Sequence, residues 1–281
     1  MPSREVPRAP IAHALPARLT RVLATVAVGL GFTAVPAVAA PTAAVAAPST
    51  DYVALGDSYS SGTGTNDYDL SATCERSSRA YPALWAAQEG TASFTFAACA
   101  GATTSDVRSS QLGGLNAGTD LVTITIGGND AGFVTTVLAC RLGTDSACFT
   151  ALNTADAFIR TVLPGRLDAT YRDIGSRAPN AELVVLGYPH LYQTGTCLLE
   201  ISNTRRTRIN AVADTLATVT AQRAAAAGAT FLDARGAYSG HEVCSGSPWI
   251  NGTTLPLTDS YHPNRSGYSR GYLPLLLSTA T

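Results

Sequence analysis

The chain of 281 residues contains no lysine, so all 19 of its basic residues are arginine. Without lysine there is no side-chain amine for a Schiff base, no phosphate-loop lysine and no Ser-Lys catalytic pair. Charged residues make up only 14% of the chain, and the formal net charge is -1. This balance, with no basic run to follow a phosphate backbone, argues against nucleic acid as a partner.

Metal-binding signatures are missing as well. Neither Cys-x-x-Cys nor His-Glu-x-x-His occurs, and beyond residue 47 the only histidines are His190, His241 and His262. The sequence therefore predicts no catalytic metal and no other cofactor. His190 and His241 are interpreted as structural or surface residues.

The first 47 residues have the pattern of a secretory signal region. Four arginines and one glutamate occupy residues 1–21, and an apolar run rich in Ala, Val and Gly follows over 22–40. Ala-x-Ala patterns typical of signal cleavage stand at 37–39 and 44–46. A membrane anchor is the alternative, since the run approaches spanning length. We expect a secreted monomer with one domain over residues 48–281.

Six cysteines remain to be explained, and outside the cell an even number of them indicates disulfides. Six cysteines allow about 15 pairings. Nearest-neighbour pairing is the simplest and would close three successive loops: Cys74 with Cys99, Cys140 with Cys148, and Cys197 with Cys244.

Short apolar runs alternate with helical stretches along the rest of the chain. Strands are predicted at 51–55, 92–97, 120–126, 182–187 and 230–233, and helices at 80–89, 151–177 and 201–227. This alternation favours a parallel sheet covered on both faces, in which functional residues follow the carboxyl ends of strands. The cluster Arg205-Arg206-x-Arg208 is interpreted as the solvated face of a helix start.

Four candidate sites stand out, three of them just after predicted strands. They are Gly56-Asp57-Ser58, Gly101, Gly127-Gly128-Asn129-Asp130, and Asp259-Ser260-Tyr261-His262 near the chain end. A serine can act as nucleophile, a histidine as its base, and a glycine N–H and an asparagine amide as oxyanion donors. Each block alone also fits a turn or a helix cap. The four in this order indicate a hydrolase.

These blocks resemble those of the SGNH (also called GDSL) hydrolase family, particularly its secreted actinomycete-type lipases and esterases. The resemblance covers essentially the whole chain after the leader, and it implies a three-layer α/β/α sandwich with a flavodoxin-like parallel sheet. It also implies that Ser58 is the nucleophile, that His262 is the general base, and that the oxyanion hole comprises the N–H groups of Ser58 and Gly101 and the side chain of Asn129. Three consecutive disulfides are similar to those of the secreted lipases of this group.

Two groups are candidates for orienting His262. Asp259, three residues earlier, can reach the outer ring nitrogen through a turn and is favoured. A main-chain carbonyl near Ser260 is the alternative, because some relatives use one. Asp57 is interpreted as a residue that organises its loop rather than as the triad acid.

The expected activity is hydrolysis of acyl esters, most favourably of lipids, with at most transient contact with lipid interfaces. A carbohydrate acetyl esterase and an inactive binding protein on the same scaffold are the alternatives. Residues 267–271 match the Gly-x-Ser-x-Gly nucleophile elbow, which requires a strand before it and a histidine after its serine. No histidine follows residue 262 and no recognisable strand precedes Gly267, so the match is rejected. Tyr59, Phe133 and Trp249 are candidates for an acyl groove, although core burial is the expected fate of each.

Overall fold

The computed structural model describes residues 50–198 and 200–279, so the predicted signal region over 1–47 lies outside the described residues. Five strands are present in them: β1 (Asp51–Gly56), β2 (Ser93–Phe96), β3 (Leu121–Thr125), β4 (Glu182–Leu186) and β5 (Thr230–Leu232). They pair in parallel in the order β2-β1-β3-β4-β5. This is the flavodoxin-like order, which confirms the predicted fold class.

Helices connect and cover the strands. They are α1 (Ser58–Ser61), α2 (Tyr81–Glu89), α3 (Thr104–Asp106), α4 (Phe133–Leu142), α5 (Asp145–Thr161), α6 (Leu163–Arg177), α7 (Asn203–Ala226), α8 (Ala234–Ala237) and α9 (Leu273–Leu277). Two π-helical segments (Val107–Gln111 and Gly267–Tyr272) and two 3-10 turns (Leu112–Gly114 and Leu257–Asp259) complete the regular structure of the described residues. No helix in this part of the chain combines the length and the apolar content needed to cross a membrane.

The helix predicted over 151–177 differs from the structure at its start and in its continuity. It is two helices, and the first begins earlier, because the Thr144 side chain caps it by accepting from the Ala147 N–H. The break falls at Val162, and Pro164 lies in the first turn of α6, where a missing N–H costs no helical hydrogen bond.

Alternate side chains of the central strands β1, β3 and β4 fill two separate cores. In β1, Tyr52 and Ala54 join a core that also receives α2 and α9, whereas Val53 and Leu55 join one that receives α6. Thr123 of β3 is also fully buried, and its hydroxyl is hydrogen-bonded to that of Tyr52 at 2.7 Å. Both faces of the sheet are therefore covered, and its functional groups are left to the strand ends.

Three disulfides fasten loops and helices around this sheet. They join Cys74 to Cys99, Cys140 to Cys148, and Cys197 to Cys244, which is the nearest-neighbour pairing. The first holds Cys99, two residues before Gly101, and the second links α4 to α5.

The interpretation of the arginine cluster as a solvated face is wrong for Arg206, which is only 2% exposed. Its guanidinium donates to the main-chain carbonyls of Ile201, Gln193 and Gly195. Arg206 thus stabilises the loop before α7, because three carbonyls of that loop receive donors from one buried side chain.

Candidate active site

The turn that carries Ser58 depends on a glycine at the end of β1. Gly56 has a φ of 121°, and a Cβ there would lie 2.4 Å from the carbonyl oxygen of Thr125 on the neighbouring strand. The chain then enters α1, whose cap is Asp57: its carboxylate accepts from the Tyr59 N–H at 2.9 Å. Ser58 therefore occupies the first helical position at the carboxyl edge of the sheet.

Ser58 and His262, which are 204 residues apart in sequence, are brought into direct contact. His262 Nε2 lies 2.8 Å from Ser58 Oγ, and both side chains are largely buried. His262 Nδ1 lies 3.0 Å from the carbonyl oxygen of Ser260. Since a carbonyl only accepts, Nδ1 carries the ring proton, and Nε2 is left to accept the Ser58 hydroxyl proton.

The structure contradicts the favoured prediction that Asp259 orients His262. Asp259 is buried, and its carboxylate accepts instead from the hydroxyl of Tyr68. The alternative, a main-chain carbonyl near Ser260, is what the geometry shows. The Asp259 main-chain carbonyl accepts from the Asn251 side chain at 3.1 Å, so this residue holds the 3-10 turn before the histidine rather than the ring itself.

Tyr261, between Ser260 and His262, explains how a carbonyl reaches a ring only two residues ahead. Its φ is 63°, in the left-handed region that bulky residues rarely adopt. The conformation is held by its surroundings: its carbonyl accepts from the Tyr59 hydroxyl at 2.6 Å, and its N–H donates to the Asn251 carbonyl at 3.0 Å. Such a strained residue is tolerated where contacts of this kind over-determine it.

Burial sets the protonation state of the histidine. Removal from water lowers the pKa of His262 from 6.5 to about 4, and the carbonyl groups of Ser260 and Thr258 only partly oppose this. The imidazole is therefore neutral at physiological pH, which is the form able to accept a proton.

The candidate oxyanion donors lie on loops that are tied to one another. Gly101 has a φ of 78°, in the left-handed region that favours glycine, and a Cβ there would meet no atom within 4 Å. Asn129 Nδ2 donates to the Ala102 carbonyl at 3.0 Å, which leaves its second hydrogen available. Within the described residues, the N–H groups of Ser58 and Gly101 donate no hydrogen bond. The Asp130 carboxylate accepts from the N–H and hydroxyl of Thr104, and this joins the two loops.

The sequence pattern did not indicate Tyr188, although it follows β4 just as Ser58 follows β1. Its hydroxyl donates to the Asp57 carboxylate and accepts from the Gly128 N–H at 3.0 Å. Burial raises the pKa of Asp57 to about 7, against the opposing effect of the hydrogen bonds from Tyr188 and Tyr59. Through its hydrogen bonds with Tyr59 and Tyr188, Asp57 organises its loop, which agrees with the interpretation made from the sequence.

A pocket of about 590 Å³, open solvent at its mouth included, is lined by neighbours of the serine and the histidine rather than by Ser58 and His262 themselves. Tyr59 and Phe133 line it, and the Phe133 ring lies 6.2 Å from that of His262. Nearly all of its other lining side chains are apolar and come from α4, α5, α7 and the loop after β4, such as Val137, Leu152, Ile159, Leu191, Val212 and Leu216.

The remaining candidate residues lie elsewhere. Trp249 is stacked on His241 at 3.6 Å and does not line the pocket. His190 is paired with Asp214 at 2.8 Å. Ser269, the serine of the rejected Gly-x-Ser-x-Gly match, lies in a π-helical segment and donates to the Arg265 carbonyl. Among the described residues, no three His, Cys, Asp or Glu side chains group as metal ligands.

A neutral imidazole against a serine hydroxyl, with unused N–H donors on the adjacent loops, is the arrangement of a serine hydrolase. The sequence profile of the GDSL-like Lipase/Acylhydrolase family matches residues 54–270. The chain belongs to this family and is a carboxylic ester hydrolase.

Individual relatives agree with this assignment. The chain is 51% identical over 266 residues to a lipase of Streptomyces rimosus, a match that covers 93% of this chain and 99% of the relative. Two solved structures, the extracellular lipase of Streptomyces rimosus and phospholipase A1 of Streptomyces albidoflavus NA297, superpose with a TM-score of 0.80 each. Their sequence identities are 52% and 49%, and each match covers 82% of this chain and 99% of the other.

Proposed function

We propose that the protein is a secreted, monomeric lipase or phospholipase in which Ser58 attacks the ester carbonyl. The contact between His262 Nε2 and Ser58 Oγ carries the proposal. Secretion is supported by the signal-like leader and by three disulfides, which persist mainly outside the cytosol. A monomer is supported because one chain supplies the serine, the histidine and the pocket.

The proposed reaction assigns a group of this chain to each step. His262 Nε2 takes the Ser58 proton as Oγ bonds to the carbonyl carbon, and the carbonyl oxygen becomes negative. The N–H groups of Ser58 and Gly101 and the second Nδ2 hydrogen of Asn129 donate to that oxygen. The imidazolium then gives its proton to the departing alkoxide, and water repeats the sequence on the acyl-enzyme.

The pocket supports an acyl chain, rather than a sugar, as the group beside the reacting carbonyl. A carbohydrate ring needs several polar partners, whereas the walls of this pocket are almost wholly apolar. Each methylene buried in such a pocket is worth about 0.8 kcal/mol. This favours lipid esters over the acetyl esters of the carbohydrate esterase alternative.

A graded series of p-nitrophenyl esters tests this proposal. We expect kcat/KM to rise from acetate to medium and long chains, and Ser58→Ala to lose more than about 99% of turnover while keeping its thermal stability. A restriction to acetate would contradict the lipid assignment. Residual activity above about one per cent in Ser58→Ala would place the nucleophile elsewhere.

Exposed apolar side chains support the proposal that the enzyme acts on substrates within a lipid surface. Six of the eight large exposed apolar side chains in the described residues lie on three segments: α4, the stretch before α7, and the stretch that leads into the 3-10 turn at Leu257–Asp259. We name them the apolar rim: Val134, Leu138, Leu142, Leu198, Leu255 and Leu257. The first three form one outward stripe of α4, whose inner residues Phe133 and Val137 line the pocket. No charged residue occurs in 131–140 or 252–258.

Substitution within the apolar rim tests this part of the proposal. Leu138→Ser should slow hydrolysis of phosphatidylcholine vesicles by about 3- to 10-fold and leave a soluble short-chain ester unaffected, because it removes only contact with aggregated lipid. Val162→Ser is the matched control, since Val162 is similarly exposed but lies outside the rim. Equal losses on both substrates, or in both variants, would contradict a lipid-facing role.

A further inference from the structure

Tyr188 links the two parts of the site that have to stay aligned during the reaction. It is the second residue after β4, and its hydroxyl has one hydrogen to donate and an oxygen to accept with. The hydrogen goes to the Asp57 carboxylate, and the oxygen accepts from the Gly128 N–H at 3.0 Å. One hydroxyl therefore joins the loop after β1 to the loop after β3.

Both partners of this hydroxyl are immediate neighbours of reacting groups. Asp57 precedes Ser58 and caps α1 through the Tyr59 N–H, so its carboxylate sets the direction of the helix that carries the serine. Gly128 precedes Asn129, whose amide is a proposed oxyanion donor. A shift of either neighbour changes the distance between Ser58 Oγ and the donors.

The ring of Tyr188 is fixed independently of its hydroxyl. A Cβ on Gly128 would lie only 3.1 Å from the ring, so the glycine allows the close approach. The ring also packs edge-on against Tyr59, with centroids 5.0 Å apart, and lines the pocket. A phenylalanine at this position therefore keeps the wall of the pocket and removes only the bridge between the loops.

We propose that Tyr188 is a positioning residue whose hydroxyl holds the Ser58 turn and the Asn129 loop in register for oxyanion stabilisation. The inference rests on the proposed function. Oxyanion donors act because they are fixed before charge develops, and a misplacement of about 1 Å can cost about 100-fold in rate. The Tyr188 hydroxyl is hydrogen-bonded to Asp57 and Gly128 and to neither Ser58 nor His262, so the effect of removing it passes through those two residues.

Tyr188→Phe and the matched control Tyr171→Phe test the inference. Tyr171 is also a buried tyrosine, but its hydroxyl has no hydrogen-bond partner in the described residues. On a soluble p-nitrophenyl ester, with active sites counted by a phosphonate titrant, Tyr188→Phe should lower kcat by about 10- to 100-fold and change KM by less than about twofold. The inhibition constant of an alkyl boronic acid, which mimics the tetrahedral intermediate, should rise by the same factor as kcat falls. Tyr171→Phe should match the wild type in all three.

A purely structural role of Tyr188 would lower the unfolding temperature and leave kcat per titrated site unchanged, and this result would overturn the inference. A loss confined to KM would also overturn it, because it would mean that the residue only binds substrate. Should Tyr188→Phe fail to fold, Gly128→Ala presses on the same ring, and an unchanged kcat in that variant would overturn the inference too. Ser58→Ala in the same assay separates the two hypotheses: retained turnover there contradicts the proposed function, whereas wild-type kcat in Tyr188→Phe contradicts only this inference.

Discussion

Asp259→Asn distinguishes a carboxylate from a carbonyl as the group that orients His262. In a serine triad whose aspartate holds the imidazole, the change to asparagine lowers kcat about 10⁴-fold, because the ring is held in the wrong tautomer. Here His262 Nδ1 is paired with the Ser260 carbonyl at 3.0 Å, and the substitution leaves that bond intact. We therefore expect kcat to fall by less than about 10-fold.

The same substitution should have a measurable effect on stability. The Asp259 carboxylate accepts from the Tyr68 hydroxyl, and an asparagine oxygen still accepts, but as a neutral partner. Replacing a hydrogen bond to a charged group by a neutral one costs about 1 kcal/mol, which corresponds to about 2–4 °C in a domain of this size. Steady-state kinetics on a soluble ester and thermal unfolding measure the two effects. A loss in kcat of about 10³-fold or more in a folded variant would refute the assignment to Ser260.

Three further predictions concern the histidine, a glycine and a buried arginine. Because burial lowers the pKa of His262 to about 4, kcat/KM measured between pH 3 and 8 should rise through an inflection near that value, and an inflection near 6.5 would contradict the buried geometry. Gly56→Ala should lower the free energy of unfolding, measured in urea, by about 3–5 kcal/mol, because φ is 121° and a Cβ would collide with the neighbouring strand. The control Gly175→Ala lies in α6 with no atom within 4 Å of its Cβ and should be neutral or stabilising. Equal changes in the two variants would refute this reasoning. Arg206→Met should cost about 3–5 kcal/mol of stability because three carbonyls lose their donors, with kcat per folded molecule unchanged; an unaltered urea midpoint would show that water replaces the guanidinium.

The sheet was predictable from the sequence because β1, β3, β4 and β5 are short runs rich in apolar residues that are followed within two residues by glycine or aspartate. All five predicted strands lie within two residues of the observed ones. The Ser58 and His262 blocks were recognisable because a nucleophile and its base require particular residue types. The helix bounds were less predictable, since the start of α5 depends on one capping hydroxyl, that of Thr144.

The choice between Asp259 and the Ser260 carbonyl was not predictable, because it depends on the backbone of Tyr261. Its left-handed φ is held by contacts with Asn251 and with Tyr59, and Tyr59 is 202 residues away in sequence. The burial of Arg206 has the same origin: its three carbonyl partners lie in a loop whose path only the tertiary structure fixes. The role of Tyr188 was not predictable either, because a tyrosine that follows a strand is usually a core residue and its hydrogen-bond partners are known only from the fold.

A backbone acceptor behind the imidazole has a consequence for how this enzyme tolerates mutation. Every amino acid at position 260 keeps a main-chain carbonyl, so no substitution of that residue removes the acceptor. A catalytic aspartate, in contrast, loses its carboxylate in most substitutions. The vulnerable codon is the next one, for Tyr261, where a proline would force φ to about -65° and swing the acceptor away from the ring. A search that requires three catalytic side chains, Ser, His and an acid, will not recognise this site. The third group is present, but it is the main-chain carbonyl of Ser260.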